Sequence, residues 1–148
     1  MIIAITGGSG FIGKRLVHHH IQQGDQVRLL SRKPPLKEIS AQYFLGDLSN
    51  LNVDLSSFVD NADILYHCAG EINNEQIMRK LHIDGTHKLV NLSHGRVGRW
   101  VQLSSVGAYG VCRNGVVTEE TPENPLNVYK KTKTQLDEIV KKSAIPFV

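Results

Sequence analysis

Thirteen residues at the start of the chain, Met1-Ile-Ile-Ala-Ile-Thr-Gly-Gly-Ser-Gly-Phe-Ile-Gly13, constrain its fold more than any other stretch. The apolar run Ile2 to Ile5 has strand length and stops at a glycine cluster. The cluster opens directly into Phe11 to Val17, whose apolar residues recur at helical spacing. A strand, a tight turn and a helix in that order bring bare backbone close to an anion. Gly7 and Gly8 permit the turn, Gly10 lets phosphates approach, and Gly13 lets the helix pack closely on the strand. Phe11 and Ile12 complete the loop, and the helix start directs N–H groups at the ligand. The spacing, behind a strand and ahead of a helix, points to a dinucleotide pyrophosphate.

The rest of the chain repeats the alternation. Gln22-Gln23-Gly24-Asp25 closes the first helix with a glycine cap, and Val27 to Ser31 is a second strand. Ala41 to Leu45 is a third, ending in Gly46-Asp47-Leu48, and Asp63 to Gly70 reads as a buried parallel strand ending in small residues. A long helix over 74–93 ends at Gly95, and a strand over Trp100 to Ser105 follows. A polar loop from Gly110 to Leu126 leads to a last helix, about Val128 to Ser143, and Ile145 begins one more strand. Such alternation with short connections predicts an α/β doubly wound parallel sheet with helices on both faces.

With 148 residues, 41% hydrophobic and 21% charged, the chain reads as one soluble globular domain. No apolar stretch reaches membrane-spanning length and the opening lacks a basic start, so the expectation is a cytoplasmic protein with no membrane partner. The net charge of +3 comes from scattered lysines and arginines, which argues against a nucleic-acid stripe. Cys68 and Cys112 stand in unrelated contexts and suggest neither a disulfide framework nor a metal site. His18 to His20 lie inside the first helix, where successive side chains diverge and cannot share one metal; His20, four residues after Leu16, turns toward the core.

At the end of the second strand a dinucleotide site commonly has a carboxylate for the adenosine ribose. Here Ser31 is followed by Arg32 and Lys33 before Pro34-Pro35. Arg32 suits a 2′-phosphate, so NADP is expected ahead of NAD; solvated turn residues are the plain alternative. Asp47 either bonds the adenine amino group or caps the turn at Ser49-Asn50. Tyr129 and Lys133 are four apart on one helical face. A tyrosine serves as general acid or base at neutral pH when a nearby cation favours its phenolate, and Lys133 is placed to be that cation. Ser105, near a strand's C-terminal end, is placed to hydrogen-bond a substrate oxygen as charge develops there.

Together the motifs Thr6-Gly7-x-x-Gly10-x-x-Gly13, Gly46-Asp47-Leu48, His67-x-Ala69-Gly70, Gly85-Thr86, Ser104-Ser105-x-x-x-Tyr109-Gly110 and Tyr129-x-x-x-Lys133 resemble the N-terminal, cofactor-binding part of an extended short-chain dehydrogenase/reductase, in the group of NAD-dependent epimerases and dehydratases. The resemblance implies a Rossmann-like sheet over residues 1–148, with Ser105, Tyr129 and Lys133 catalytic. It implies cofactor contacts from Gly7, Gly10, Phe11, Ile12, Gly13, Asp47, Leu48, Ala69 and Gly70 as well as from Tyr129 and Lys133, and Arg32 resembles the basic residue of NADP-preferring members. It implies a small-molecule substrate such as a nucleotide sugar, and a homodimer built on the long and last helices.

Two departures stand out. His82 occupies the position where the family usually has asparagine, and Val106 and Gly107 follow Ser105 where dehydratases carry an Asp-Glu pair, which argues against dehydration. Family members also continue into a C-terminal substrate region, so the chain is expected to stop inside a sixth strand and to turn over nothing by itself. The expected parent reaction is hydride transfer at a carbinol or carbonyl carbon, by a nucleotide-sugar epimerase or by an NADPH-dependent ketone or aldehyde reductase. A non-catalytic NADP sensor is the third reading; such relatives commonly lack the tyrosine–lysine pair that this chain keeps.

Overall fold

The computed structural model describes residues 1–34, 39–111 and 115–148; Pro35 and Cys112 lie outside the described residues. Five parallel strands form one sheet in the order β3-β2-β1-β4-β5. They are β1 (Ile2–Thr6), β2 (Gln26–Ser31), β3 (Ala41–Leu45), β4 (Ala62–His67) and β5 (Val97–Gln102). The helices are α1 (Gly13–Gln22), α2 (Ser56–Val59), α3 (Glu75–Arg79), α4 (Thr86–Ser93) and α5 (Val128–Lys141).

Alternation along β1 sorts the core into two layers, because successive strand side chains point to opposite faces. Ile3 and Ile5 pack with Val17 of α1 and with Val27 and Leu29 of β2 on one face. Ala4 faces the other layer, where Phe58 of α2, Leu89 of α4 and Val140 of α5 meet Leu65 and Trp100. Helices therefore cover both faces, as the alternation predicts. The chain leaves the β3 edge and returns beside β1 as β4, with Thr6 in register with Leu30 on one side and His67 on the other. That reversal opens a crevice at the C-terminal ends of the strands, which is where this architecture binds ligands.

Three local features differ from the sequence expectation. The helix over 74–93 is not uniformly α: a π-helical turn, Lys80–Gly85, joins α3 to α4. Asn74 caps the start by accepting from the Ile77 N–H at 3.0 Å. The wider turn buries His82 and seats Gly85 against Leu48, where an added Cβ would lie 2.7 Å from the Leu48 carbonyl oxygen. Strand β5 runs three residues earlier than expected, so Ser104 and Ser105 lie beyond its end. Its first half carries Gly98, where a Cβ would meet the Asp63 carbonyl at 2.8 Å, and that close approach hides the strand from an apolar-run reading. The short α2, with only four residues, gives no periodicity to detect.

The expected sixth strand appears as a parallel bridge between Phe147 and Trp100, with Val148 N–H donating to the Trp100 carbonyl at 2.9 Å. His18 and His19 are exposed, whereas His20 is buried, bonding Asp25 at 2.7 Å and the Tyr66 hydroxyl at 3.2 Å. Among the described residues no helix is long and apolar enough to cross a membrane.

Candidate functional site

The crevice at the strand ends is lined by Gly7, Gly10, Arg32, Asp47, Leu48, Ala69 and Gly70 from the sequence reading, and also by Thr6, Ser9, Cys68 and Glu71. Its glycine loop is held by backbone proximity. Gly7 has φ +69°, and a Cβ there would fall 2.7 Å from the Ala69 N. A Cβ on Gly13 would fall 2.2 Å from the Gly7 carbonyl oxygen, so α1 packs directly on the loop. The start of α1 has no side-chain cap and no acidic residue in its first turn. A ten-residue helix with a bare positive end, behind a cradle that side chains would fill, fits a dinucleotide pyrophosphate. Phe11, Ile12 and Gly13 support the loop from outside the lining. The Phe11 ring is largely exposed beneath the Arg15 guanidinium, 3.8 Å away.

Asp47 performs the capping role: its Oδ1 accepts from the Ser49 N–H at 2.8 Å and the Ser49 hydroxyl at 2.7 Å. The same residue lines the crevice, which keeps the adenine reading open. Ser31 is consumed by its own turn, its hydroxyl donating to the Lys33 carbonyl at 2.6 Å. Arg32 extends to the crevice wall.

Behind the crevice floor lies a buried polar layer. Thr6 Oγ1 accepts from the Ala69 N–H at 3.1 Å and sits 2.7 Å from His67 Nδ1, while His67 Nε2 is 3.1 Å from Thr86 Oγ1. Burial, with the Lys133 ammonium and His82 adding to it, lowers the His67 pKa to about 3. His82 is the second buried imidazole. Its Nε2 accepts from the Glu71 N–H at 3.0 Å, which leaves the proton on Nδ1 to donate to Thr132 Oγ1 at 2.8 Å. Thr132 in turn donates to the Tyr129 carbonyl at 3.0 Å, and the His82 and Tyr129 rings meet edge to face at 5.9 Å. Burial, aided by the Lys133 charge and opposed by Glu71, lowers the His82 pKa to about 4. The neutral imidazole thus ties the loop after β4 to the first turn of α5.

Lys133 is 4% exposed, and its Nζ donates to the Leu103 carbonyl. Leu103 N–H donates to the His67 carbonyl at 3.2 Å, so the ammonium sits where the tips of β4 and β5 join. Burial lowers the Lys133 pKa, and the Asp137 and Cys68 charges oppose that shift. No hydrogen bond joins Lys133 to Tyr129 among the described residues; the lysine reaches the strand tip instead. Ser105 caps the 3₁₀ turn Val106–Tyr109, accepting from the Gly107 N–H at 3.2 Å. It lines a second groove with Ser104, Tyr109, Asp137 and Val148. Ser104 donates to Asp137 Oδ2, which links the serine loop to α5 one turn after Lys133. Ser105, just beyond β5, and Lys133, at the tips of β4 and β5, thus stand at one end of the sheet, with Tyr129 one helical turn before Lys133.

Of the residues that sequence reasoning missed, Thr6 and Ser9 belong to the glycine motif and were legible there, whereas Glu71 was not. His82 stood out in the sequence as a departure from the family's asparagine, but its partners, Glu71 on a loop and Thr132 on α5, were not legible because distant segments supply them.

The five parallel strands with helices on both faces define a doubly wound α/β protein of the Rossmann type. Residues 3–145 match the model of the NAD dependent epimerase/dehydratase family, and the chain belongs to that family. It is 28% identical over 155 residues to ADP-L-glycero-D-manno-heptose-6-epimerase of Brachyspira hyodysenteriae, covering 95% of this chain and 48% of the relative. It is 31% identical over 147 residues to dTDP-6-deoxy-L-talose 4-dehydrogenase (NAD(P)(+)) of Kitasatospora kifunensis, covering 93% of this chain and 46% of the relative. The crystal structure of a short-chain dehydrogenase/reductase superfamily protein from Agrobacterium tumefaciens with bound NAD superposes with a TM-score of 0.87 at 24% identity, covering all of this chain and 48% of that one. The chain spans less than half the length of these relatives.

Proposed function

We propose that residues 1–148 form the cofactor-binding part of an NAD(P)-dependent enzyme that transfers hydride at a carbinol or carbonyl carbon, with a nucleotide sugar as substrate and epimerisation as the reaction. The observation that carries this reading is Lys133, a lysine buried to 4% exposure at the joined tips of β4 and β5, the strand end at which the glycine-loop crevice also opens. A buried cation with one carbonyl partner costs stability, and such a cost is characteristic of a functional position.

In this reading Gly7, Gly10 and the start of α1 hold the pyrophosphate, Asp47 and Leu48 the adenine, Ala69 and Gly70 the ribose edge, and Arg32 a 2′-phosphate where present. Phe11, Ile12 and Gly13 shape that loop from behind. The bound dinucleotide supplies or takes up the hydride. Tyr129 moves the proton of the substrate oxygen, Ser105 hydrogen-bonds that oxygen, and Lys133 steadies the ribose. The surface that reads the sugar lies outside these residues. Tyr129→Phe in the full-length enzyme is expected to lower kcat about 10²- to 10⁴-fold with cofactor binding retained; unchanged kcat would remove the catalytic assignment.

A reductase is the second reading, favoured by Arg32 on the crevice wall, since a 2′-phosphate handle suits a reductant that is released each cycle. Steady consumption of NADPH with a carbonyl substrate identifies it. An epimerase consumes none.

A further inference from the structure

The end of β2 offers no carboxylate to an adenosine ribose, yet the crevice is lined by two, Asp47, which caps its own turn through Ser49, and Glu71. Glu71 lies on the loop leaving β4, and Arg32 on the turn leaving β2. Because β1 runs between these strands, with Thr6 in register with both Leu30 and His67, the two residues rise on either side of the same strand tip. Both line the crevice.

Glu71 is held in place. Its Oε1 accepts from three successive backbone N–H groups, those of Ile72 at 3.0 Å, Asn73 at 2.7 Å and Asn74 at 3.2 Å. Its own N–H is fixed by His82. Oε2 makes no hydrogen bond among the described residues. The N–H groups of Asn73 and Asn74, with smaller help from the Arg32 charge, hold its carboxyl below the ordinary range, so it is ionised at neutral pH. Arg32 is exposed and carries a long flexible stem. The crevice therefore carries a pre-oriented anion, Glu71, and an adaptable cation, Arg32, on opposite sides of the β1 tip, while Asp47 is engaged in its own turn.

We infer that Glu71 is a specificity-determining residue of this crevice, its carboxylate working against Arg32 so that the site takes NAD as well as NADP. The inference rests on the dinucleotide reading of the crevice proposed above. A ribose 2′-hydroxyl donates to Oε2, as it would to the carboxylate that other dinucleotide sites carry at the end of β2. A 2′-phosphate is drawn to Arg32 and repelled by Glu71, so the two side chains oppose each other for NADP alone.

A purely structural role for Glu71, stapling the loop through Oε1, makes a different prediction. Glu71→Gln keeps an amide oxygen for the three N–H groups and removes the charge. Calorimetric titration of the full-length protein with NADPH and with NADH reads the difference. The wild type is expected to bind the two within about tenfold of each other, and Glu71→Gln to tighten NADPH by about tenfold and to weaken NADH by about three- to tenfold, because the amide NH2 that takes the place of Oε2 no longer accepts from a 2′-hydroxyl. Arg32→Gln shifts the ratio toward NADH, and the double variant returns it to near the wild-type value. An NADPH-to-NADH ratio that Glu71→Gln leaves within twofold overturns the inference while the crevice reading stands. Binding of neither dinucleotide by the folded wild type overturns both.

Discussion

His67 and His82 are both fully buried and both held neutral, with pKa values lowered to about 3 and about 4. In the unfolded chain an imidazole titrates near 6.5. The folded values are depressed, so the unfolded chain takes up protons first as the pH falls. The stability these residues contribute is complete above pH 6.5 and is lost progressively toward the folded values near 4 and 3. At pH 5.0, about 1.5 units below the unfolded value, each residue has lost about 2 kcal/mol, since one unit is worth about 1.4 kcal/mol. Burial holds the Asp137 carboxyl above the ordinary range, so this group binds its proton more readily when folded and returns part of the loss. The net expectation is a loss of about 2–4 kcal/mol between pH 7.5 and 5.0, against a typical total of about 5–15 kcal/mol. Urea unfolding followed by Trp100 fluorescence measures it. Trp100 is the chain's single tryptophan, fully buried with its ring edge to face with His67 at 5.4 Å. Imidazole proton NMR then assigns the loss. An unchanged urea midpoint at pH 5.0, or a His67 resonance titrating near 6.5, refutes the reasoning.

Other substitutions probe the crevice and its supports. Gly13→Ala puts a Cβ 2.2 Å from the Gly7 carbonyl oxygen and 2.9 Å from Gly8 Cα, all backbone that cannot rotate aside; it is expected to cost about 1–3 kcal/mol or more in thermal unfolding and to abolish dinucleotide binding. Gly24→Ala is its control, since nothing lies within 4 Å there and only the φ of +76° opposes it, for about 1–2 kcal/mol with binding intact. His82→Leu leaves the Glu71 N–H and the Thr132 hydroxyl without their shared partner, and denaturant unfolding is expected to show a loss of about 2–4 kcal/mol, smaller for His82→Asn. Lys133→Met removes a desolvated charge, so stability is expected to change by no more than about 1 kcal/mol while turnover of the full-length enzyme falls by at least about 10²-fold.

Legibility in the sequence followed the range of the physics. Ile2 to Ile5, the glycine spacing through Gly13 and the Gly24 cap are local patterns. Their strand, turn and helix follow from side-chain periodicity and backbone freedom within a few residues, so the parallel sheet and its glycine-loop crevice could be read directly. The placement of Arg32, Asp47, Ala69 and Gly70 around that crevice followed from the same alternation, because parallel strands present their C-terminal ends together. Contacts between distant segments were decided only by tertiary structure. The register of β1 between β2 and β4 set Glu71 in the same crevice as Arg32. The π-helical turn carried His82 inward to join Glu71 and Thr132, and the packing of α5 on the sheet sent Lys133 to Leu103 rather than to Tyr129. Each of those contacts depends on strand register and helix packing summed over the whole core, and neither quantity is written in any short stretch of residues.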